Sequence, residues 1–133
     1  MTKDKALYNW FQQFGIPFYP TTALPPAIND TSVPESERLK FPYGTFEPVF
    51  GYFGDIVESG VNLYFLTESE AIPNSKADEI GSAIGMDGTM IKCDSGLMWL
   101  KRGTPFNQPM RDPDNENIKR RYLKIIIEFL TND

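Results

Sequence analysis

The chain has 133 residues, enough for one domain with a single core, and its hydrophobic (41%) and aromatic (14%) content predicts a folded protein. It contains no histidine and only one cysteine, Cys93, which excludes an internal disulfide, a Cys/His zinc cluster and histidine-assisted nucleophilic catalysis. No stretch approaches eighteen apolar residues and no signal-peptide pattern opens the chain, so we expect a cytoplasmic protein without a membrane anchor.

The first predicted element is a helix from Lys3 to Phe14, with Thr2 as its N-cap and Gly15 as its end. An aromatic and aliphatic stripe at helical spacing runs along it, formed by Leu7, Trp10, Phe11 and Phe14. Such a stripe indicates a helix packed on a sheet.

The segment from Ile16 to Pro42 contains six prolines and few periodic apolar positions, which predicts a long irregular connection. It is either a flexible surface loop or a segment used against a partner. The next segment, Tyr43 to Phe53, indicates a strand that is bent or lies at an edge, because Pro48 and Gly51 interrupt it.

Residues Ile56 to Thr67 form a second predicted strand, with a core face made by Val61, Leu63 and Phe65. A second helix is expected to start at an N-cap, Ser75, and to end at Gly85. Two short strands then form a hairpin around a three-residue connection, Asp94-Ser95-Gly96; they are Met90–Cys93 and Leu97–Lys101.

Residues Arg102 to Asn117 are predicted to be a second long polar loop, leading into a final strand of about twelve residues. The core face of that strand comprises Leu123, Ile125, Ile127 and Phe129, and the opposite face Arg120, Tyr122, Lys124 and Glu128. The element order predicts a single α+β domain over residues 1–133, a mostly antiparallel sheet with two helices on one face, plus long irregular loops.

Motifs that carry chemistry are weak in this chain. The oxygen-rich run Asp112 to Asn117 lacks the glycine and the distal glutamate of a calcium loop, and its composition is typical of turns. Gly81, Gly85 and Gly88 match no phosphate-binding fingerprint, and Cys93 lies in a strand pattern typical of a small buried thiol. We therefore predict no cofactor, no metal and no catalytic residue, although catalysis by two carboxylates stays open as an alternative.

Charge is distributed unevenly along the chain. Residues 1–100 contain 6 basic and 13 acidic groups, whereas residues 101–124 contain 7 basic and 3 acidic groups. An acidic body with one basic segment lacks the dominant basic face of a nucleic-acid binder. It suits head-to-tail contact between copies of the same chain.

Several segments together resemble the tail terminator proteins of siphophages of Gram-positive bacteria, a head-tail joining family sometimes labelled minor capsid proteins. They are Tyr8-Asn9-Trp10-Phe11, Phe14-Gly15-Ile16-Pro17, Phe41-Pro42-Tyr43, Phe53-Gly54-Asp55, Ser75 to Ile80, Trp99 to Phe106 and Glu128-Phe129-Leu130-Thr131. The resemblance spans nearly the whole chain and rests on the number and order of these segments. Residues 17–42 form a longer connection than the family has.

The resemblance implies a structural virion protein at the head-tail junction, assembled in the host cytoplasm, that forms a homohexameric ring. Such a ring caps the tail tube, ends its polymerisation and docks to the head-completion (stopper) connector. DNA would pass through the ring without specific binding, which an acidic lumen would favour. The resemblance transfers no ligand-binding or catalytic residue to this chain.

A ring requires a heterologous interface, in which one patch of a subunit meets a different patch of the next. We predict that the basic segment supplies one of these patches, through Lys101, Arg102, Phe106, Arg111, Arg120, Arg121 and Lys124. The alternative is that these charges form a solvated strand face and loop. Two other functions stay open: another connector component, such as a stopper or adaptor, and a small carboxylate-using enzyme or ligand-binding domain.

Overall fold

The computed structural model describes all 133 residues. It contains two helices and six strands: α1 (Lys3–Phe11), β1 (Phe18–Pro20), β2 (Tyr43–Phe46), β3 (Ile56–Leu66), α2 (Ala71–Ile84), β4 (Thr89–Cys93), β5 (Gly96–Arg111) and β6 (Ile118–Thr131). The strands form one sheet in the order β1-β2-β3-β6-β5-β4, and only the β1–β2 pair is parallel. This arrangement confirms the predicted α+β class. Neither helix has the length and apolar character needed to span a bilayer.

One hydrophobic core lies between the sheet and the two helices. The predicted core faces of β3 and β6 are confirmed, since Val61, Leu63, Ile125 and Ile127 have no exposed surface. α1 contributes Leu7 and Phe11, and α2 contributes Ala77, Ile80 and Ile84. Burial of these side chains against the central strands supplies the main driving force for folding.

The predicted N-terminal helix is confirmed, but its last turn is a 3₁₀ turn rather than α-helix. The Thr2 hydroxyl accepts a hydrogen bond from the Lys5 amide, as an N-cap does. The α-helical part stops at Phe11, and a 3₁₀ turn, Gln12–Phe14, continues it to Gly15 in the left-handed conformation (φ 77°).

The predicted irregular connection between residues 16 and 42 contains a short strand, β1, that its sequence did not indicate. β1 pairs in parallel with β2 at one edge of the sheet, and the Phe18 ring packs directly over Gly44, where any side chain would overlap it. The Phe18 ring also stacks on that of Phe11, which stacks on Phe46. Aromatic packing therefore selects this pairing. Residues 21–42 are irregular apart from one 3₁₀ turn, Glu35–Glu37.

Two predicted element boundaries, the end of β2 and the start of α2, are wrong. The strand expected over Tyr43–Phe53 ends at Phe46, because Pro48 lacks an amide donor and the chain leaves the sheet there. Helix α2 begins at Ala71 rather than after Ser75, and Pro73 occupies its first turn, where a missing amide costs nothing. The amide of Ala71 donates to the Ser69 hydroxyl.

The long polar loop predicted over Arg102–Asn117 is wrong for its first ten residues, and only residues 112–117 lie between strands. β5 continues to Arg111 and pairs with β6, with an irregularity between Arg102 and Asn107 where the register shifts. The extra residues on β5 form a bulge that bends the strand. The predicted β4–β5 hairpin is present, but its connection has only two residues, because Gly96 already pairs with Cys93.

Candidate functional site

The sheet has one face without helices, which we call the open face. Side chains alternate across a strand, so the neighbours of the buried residues of β3, β6 and β5 point to this face. It comprises Ile56, Glu58, Asn62, Tyr64 and Leu66 of β3, Arg120, Tyr122, Lys124, Ile126 and Glu128 of β6, and Trp99, Lys101 and Met110 of β5. Apolar, aromatic and charged groups are mixed there.

The seven residues predicted from sequence to form a subunit contact are divided between the two faces. Lys101, Arg120 and Lys124 lie on the open face. Arg102, Phe106 and Arg121 lie on the helix side: Phe106 packs against the core near Gly81, and Arg102 also passes close to Gly81. Arg111 is exposed at the end of β5. The sequence segment is therefore not one surface.

Lys101 is engaged within the chain. Its Nζ donates to Glu128 Oε1 at 2.8 Å and lies 3.8 Å from the centre of the Trp99 ring. Cross-strand pairing of β5 with β6 brings these three side chains together. The ammonium group is thus satisfied by an anion and an aromatic face.

Arg121 is the most buried cation of the segment, with 8% of its surface exposed. Its Nη2 donates to Glu70 Oε2 at 2.9 Å, and its Nη1 donates to the side-chain oxygens of Asn74 (3.0 Å) and Asn107 (3.3 Å). These contacts tie β6 to the start of α2 and to β5 beyond its bulge. Arg121 therefore holds the fold together rather than facing a partner.

Arg120 has the opposite environment. Its guanidinium lies 5.0 Å from the centre of the Tyr64 ring, and its only hydrogen bond is a long one, 3.4 Å, to Asn62. Tyr64 stacks on Tyr43 with ring centres 4.6 Å apart. Burial, followed by the neighbouring Tyr64, raises the pKa of Tyr43 to about 12. The buried Nε of Arg120 has no hydrogen-bond partner in the chain.

Tyr122 lies between Arg120 and Lys124 along the open face. Its hydroxyl donates to Glu58 Oε1 at 3.3 Å, and burial together with this carboxylate raises the pKa of Tyr122. Lys124 forms no ion pair, and its aliphatic stem packs over Gly103 of the bulge. The absence of a side chain at Gly103 makes room for that stem.

Ion pairing within the chain leaves most of the basic segment free. Of its seven cations, only Lys101 and Arg121 pair with a carboxylate. Five remain without an acidic partner: Arg102, Arg111, Lys119, Arg120 and Lys124. Because the rest of the chain is acidic, these charges are available to a second, acidic surface.

The cavities give little support for a reaction centre. The largest, about 460 Å³, lies along α1 between Leu7 and Tyr8 and the edge strands, and Asp4 is its only carboxylate. No group of three His, Cys, Asp or Glu side chains could hold a metal ion. Cys93 is half-buried, and its thiol contacts the Ser95 hydroxyl and the Gly96 carbonyl.

A second surface, not predicted from the sequence, is formed by residues 47–55 between β2 and β3, and we call it the aromatic loop. Phe50, Tyr52 and Phe53 are largely exposed there, although this segment was predicted to be part of a strand. The signal was present in the sequence: Pro48, Gly51 and Gly54 break the alternation of a strand and favour a turn. Three largely exposed aromatic side chains within four residues are unusual on a monomer surface.

Comparison with known proteins identifies no relative of this chain. No protein-family model, no curated protein and no solved structure matches the chain. What the chain does is therefore inferred from its own residues and from the resemblance described above.

Proposed function

We propose that the chain is a structural subunit that forms a ring, caps the tube of a phage tail and joins the tail to the head connector. The observation that carries this proposal is the set of five unpaired cations on β5 and β6 of an otherwise acidic chain. Two of them, Arg120 and Lys124, share the open face and favour contact with an unlike, acidic patch. Such contacts form a ring when the rotation that relates one subunit to the next brings the last subunit back to the first.

Arg120 and Lys124 are the best candidates for that contact among the predicted residues. Both lie on the open face and neither forms an ion pair. Lys101 and Arg121 contribute less, because their charges are already neutralised within the chain. An acidic patch on the next copy would pair with the free cations and would set the orientation of the two subunits.

The resemblance to tail terminators supplies the biological context of the ring. A homohexamer at the end of the tube would stop polymerisation, offer its other side to the stopper protein, and let DNA pass. Stacking of the ring on a tube requires a second contact surface besides the one between subunits. The open face, its two ends and the irregular residues 21–42 provide several such surfaces.

The experiment is to measure particle mass by light scattering and particle shape by electron microscopy, with and without tail tubes. We expect a six-membered ring that binds tube ends. Arg120→Glu and Lys124→Glu, each alone, should weaken ring formation, whereas Lys40→Glu, an equal charge change on an exposed residue elsewhere, should not.

Other outcomes separate the alternatives. A ring that ignores tube ends but binds the head connector would make the chain a stopper or adaptor. A protein that stays monomeric with and without tubes would overturn the proposal.

A further inference from the structure

The aromatic loop presents an apolar surface at one end of the sheet. Phe50 is 74% exposed, Tyr52 64% and Phe53 71%, and Ile56 lies beside them at the start of β3. Removing such side chains from water on association is strongly favourable, and aromatic residues dominate the binding energy of interfaces.

The loop is held in place although its aromatic side chains are exposed. The Asp55 carboxylate accepts a hydrogen bond from the Tyr52 amide (2.8 Å), and the Gly54 amide donates to the carbonyl of Phe129 (2.9 Å). Lys3 Nζ donates to the carbonyl of Gly51 at 2.7 Å and lies 5.0 Å from the Tyr52 ring centre. A loop fixed in this way loses little conformational entropy when it binds.

The charge of the loop indicates what it binds. Residues 47–55 contain Glu47 and Asp55 and no cation, and Asp4 is exposed close to the loop. The one cation that touches the loop, Lys3, is paired with Asp133. Neither Glu47, Asp55 nor Asp4 forms an ion pair within the chain. The complementary surface is therefore apolar and basic.

A surface with exposed apolar groups and unpaired cations lies at the other end of the same sheet, with Asp112 and Glu116 beside it, and we call it the far patch. It comprises Leu66 and Met110, which are about half exposed, together with Tyr64 and Arg120 on the open face. Arg120 has no ion pair, and its buried Nε has no partner. An aromatic ring of a neighbouring copy could cover the apolar groups and stack on the guanidinium.

The two surfaces lie at opposite ends of β3, which has eleven residues and is thus roughly 33 Å long. A contact between two patches so far apart cannot form within one chain. If two copies each docked the loop on the other's patch, the result would be a closed two-fold dimer; otherwise each copy adds to the next. This head-to-tail addition gives a ring when it closes.

We propose that the aromatic loop of one copy docks on the far patch of the next copy. This inference rests on the ring formation of the proposed function and specifies its interface. It assigns the loop, and not only the basic segment, to the contact between subunits.

Two variants test the docking. The loop variant is Phe50→Ser with Phe53→Ser, which leaves Tyr52 and its contact with Lys3 in place. The patch variant is Leu66→Ser with Met110→Ser. Each should lower self-association by on the order of tenfold or more, because each removes two apolar groups from the contact. A control with two exposed apolar residues elsewhere, Leu24→Ser with Met86→Ser, should keep the wild-type mass.

Mixing the two variants gives the sharper result. Each variant alone should be monomeric, whereas an equimolar mixture should form dimers that grow no further, because one intact loop and one intact patch remain for a single contact. Mass is measured by analytical ultracentrifugation, and circular dichroism checks that both variants are folded.

The docking is overturned if either variant keeps the wild-type ring mass, or if the mixture stays monomeric. It is also overturned if the loop variant forms rings that no longer bind tail tubes, because the loop would then contact the tube. Rings that depend on the loop but never bind tubes would support the docking and contradict the tail-capping function. Wild-type protein that never self-associates would contradict both.

Discussion

Arg120 and Arg121 are adjacent in the sequence, yet their guanidinium groups lie on opposite faces of the sheet. Arg121 is buried against Glu70 and α2, whereas Arg120 covers the Tyr64 ring on the open face. The two arginines therefore have different roles. A simultaneous charge reversal of both, which the sequence alone suggests as a test of the subunit contact, would combine loss of stability with loss of association.

Replacing each arginine by methionine separates these roles. Arg121→Met leaves the Asn107 side-chain oxygen without its donor and removes the ion pair with Glu70, so it should lower the free energy of unfolding by about 2–3 kcal/mol. Arg120→Met removes one long hydrogen bond and a cation–π contact, and should cost about 0.5–1 kcal/mol. Urea denaturation measures both values. Equal losses for the two variants would contradict the assignment to opposite faces.

The two faces of β6 can be compared at neighbouring isoleucines. Ile125 has no exposed surface and packs in the core, so Ile125→Ala should cost about 2–5 kcal/mol of stability. Ile126 lies on the open face and is only half-buried, so Ile126→Ala should cost about 1 kcal/mol or less. Thermal and urea denaturation measure the difference. A larger loss at Ile126 would mean that the strand is turned by one residue.

Gly51 supports the aromatic loop through close packing. A Cβ atom at this position would overlap the ring of Phe129, which is fully buried and cannot move aside. Gly51→Ala should therefore destabilise the protein by about 1–3 kcal/mol. Ser82→Ala on the exposed side of α2 is the control and should change stability by about 0.5 kcal/mol or less. Wild-type stability in Gly51→Ala, measured in urea, would show that the loop packs differently.

Tyr43 gives stability a specific dependence on alkaline pH. The folded protein keeps the Tyr43 proton up to a pKa of about 12, whereas the unfolded chain loses it near pH 10. The unfolded state thus binds fewer protons between these values, and the free energy of unfolding falls as the pH rises from 10 to 12. Below pH 10 this contribution is fully present.

Tyr43→Phe should reduce that loss and change stability little at neutral pH, because the Tyr43 hydroxyl makes no hydrogen bond to another side chain or to the backbone. Urea denaturation at several pH values from 8 to 12 measures the effect, and Tyr8→Phe on the exposed side of α1 is the control. The prediction fails if wild type and Tyr43→Phe lose stability in parallel.

Local patterns were sufficient to predict α1, the core faces of β3 and β6, and the β4–β5 hairpin. In each case the signal lies within a few residues: the Thr2 cap, the alternation of Val61, Leu63 and Phe65, and the glycine at position 96. The α+β class followed from their order. The unpaired state of Arg120 and Lys124 could not be predicted, because ion pairing depends on which strands are neighbours.

The sequence by itself determined which faces of β3 and β6 are buried, because apolar side chains alternate along both strands. It also determined the charge asymmetry and the absence of histidine chemistry. Only the tertiary structure decided that residues 103–111 are a strand, that Phe18 pairs its strand with Gly44, and that Phe50 and Phe53 are exposed. The reason is physical, because strand formation depends on the neighbour that a segment meets across the sheet. A polar or proline-containing segment can therefore become a strand, and an aromatic segment can become a loop.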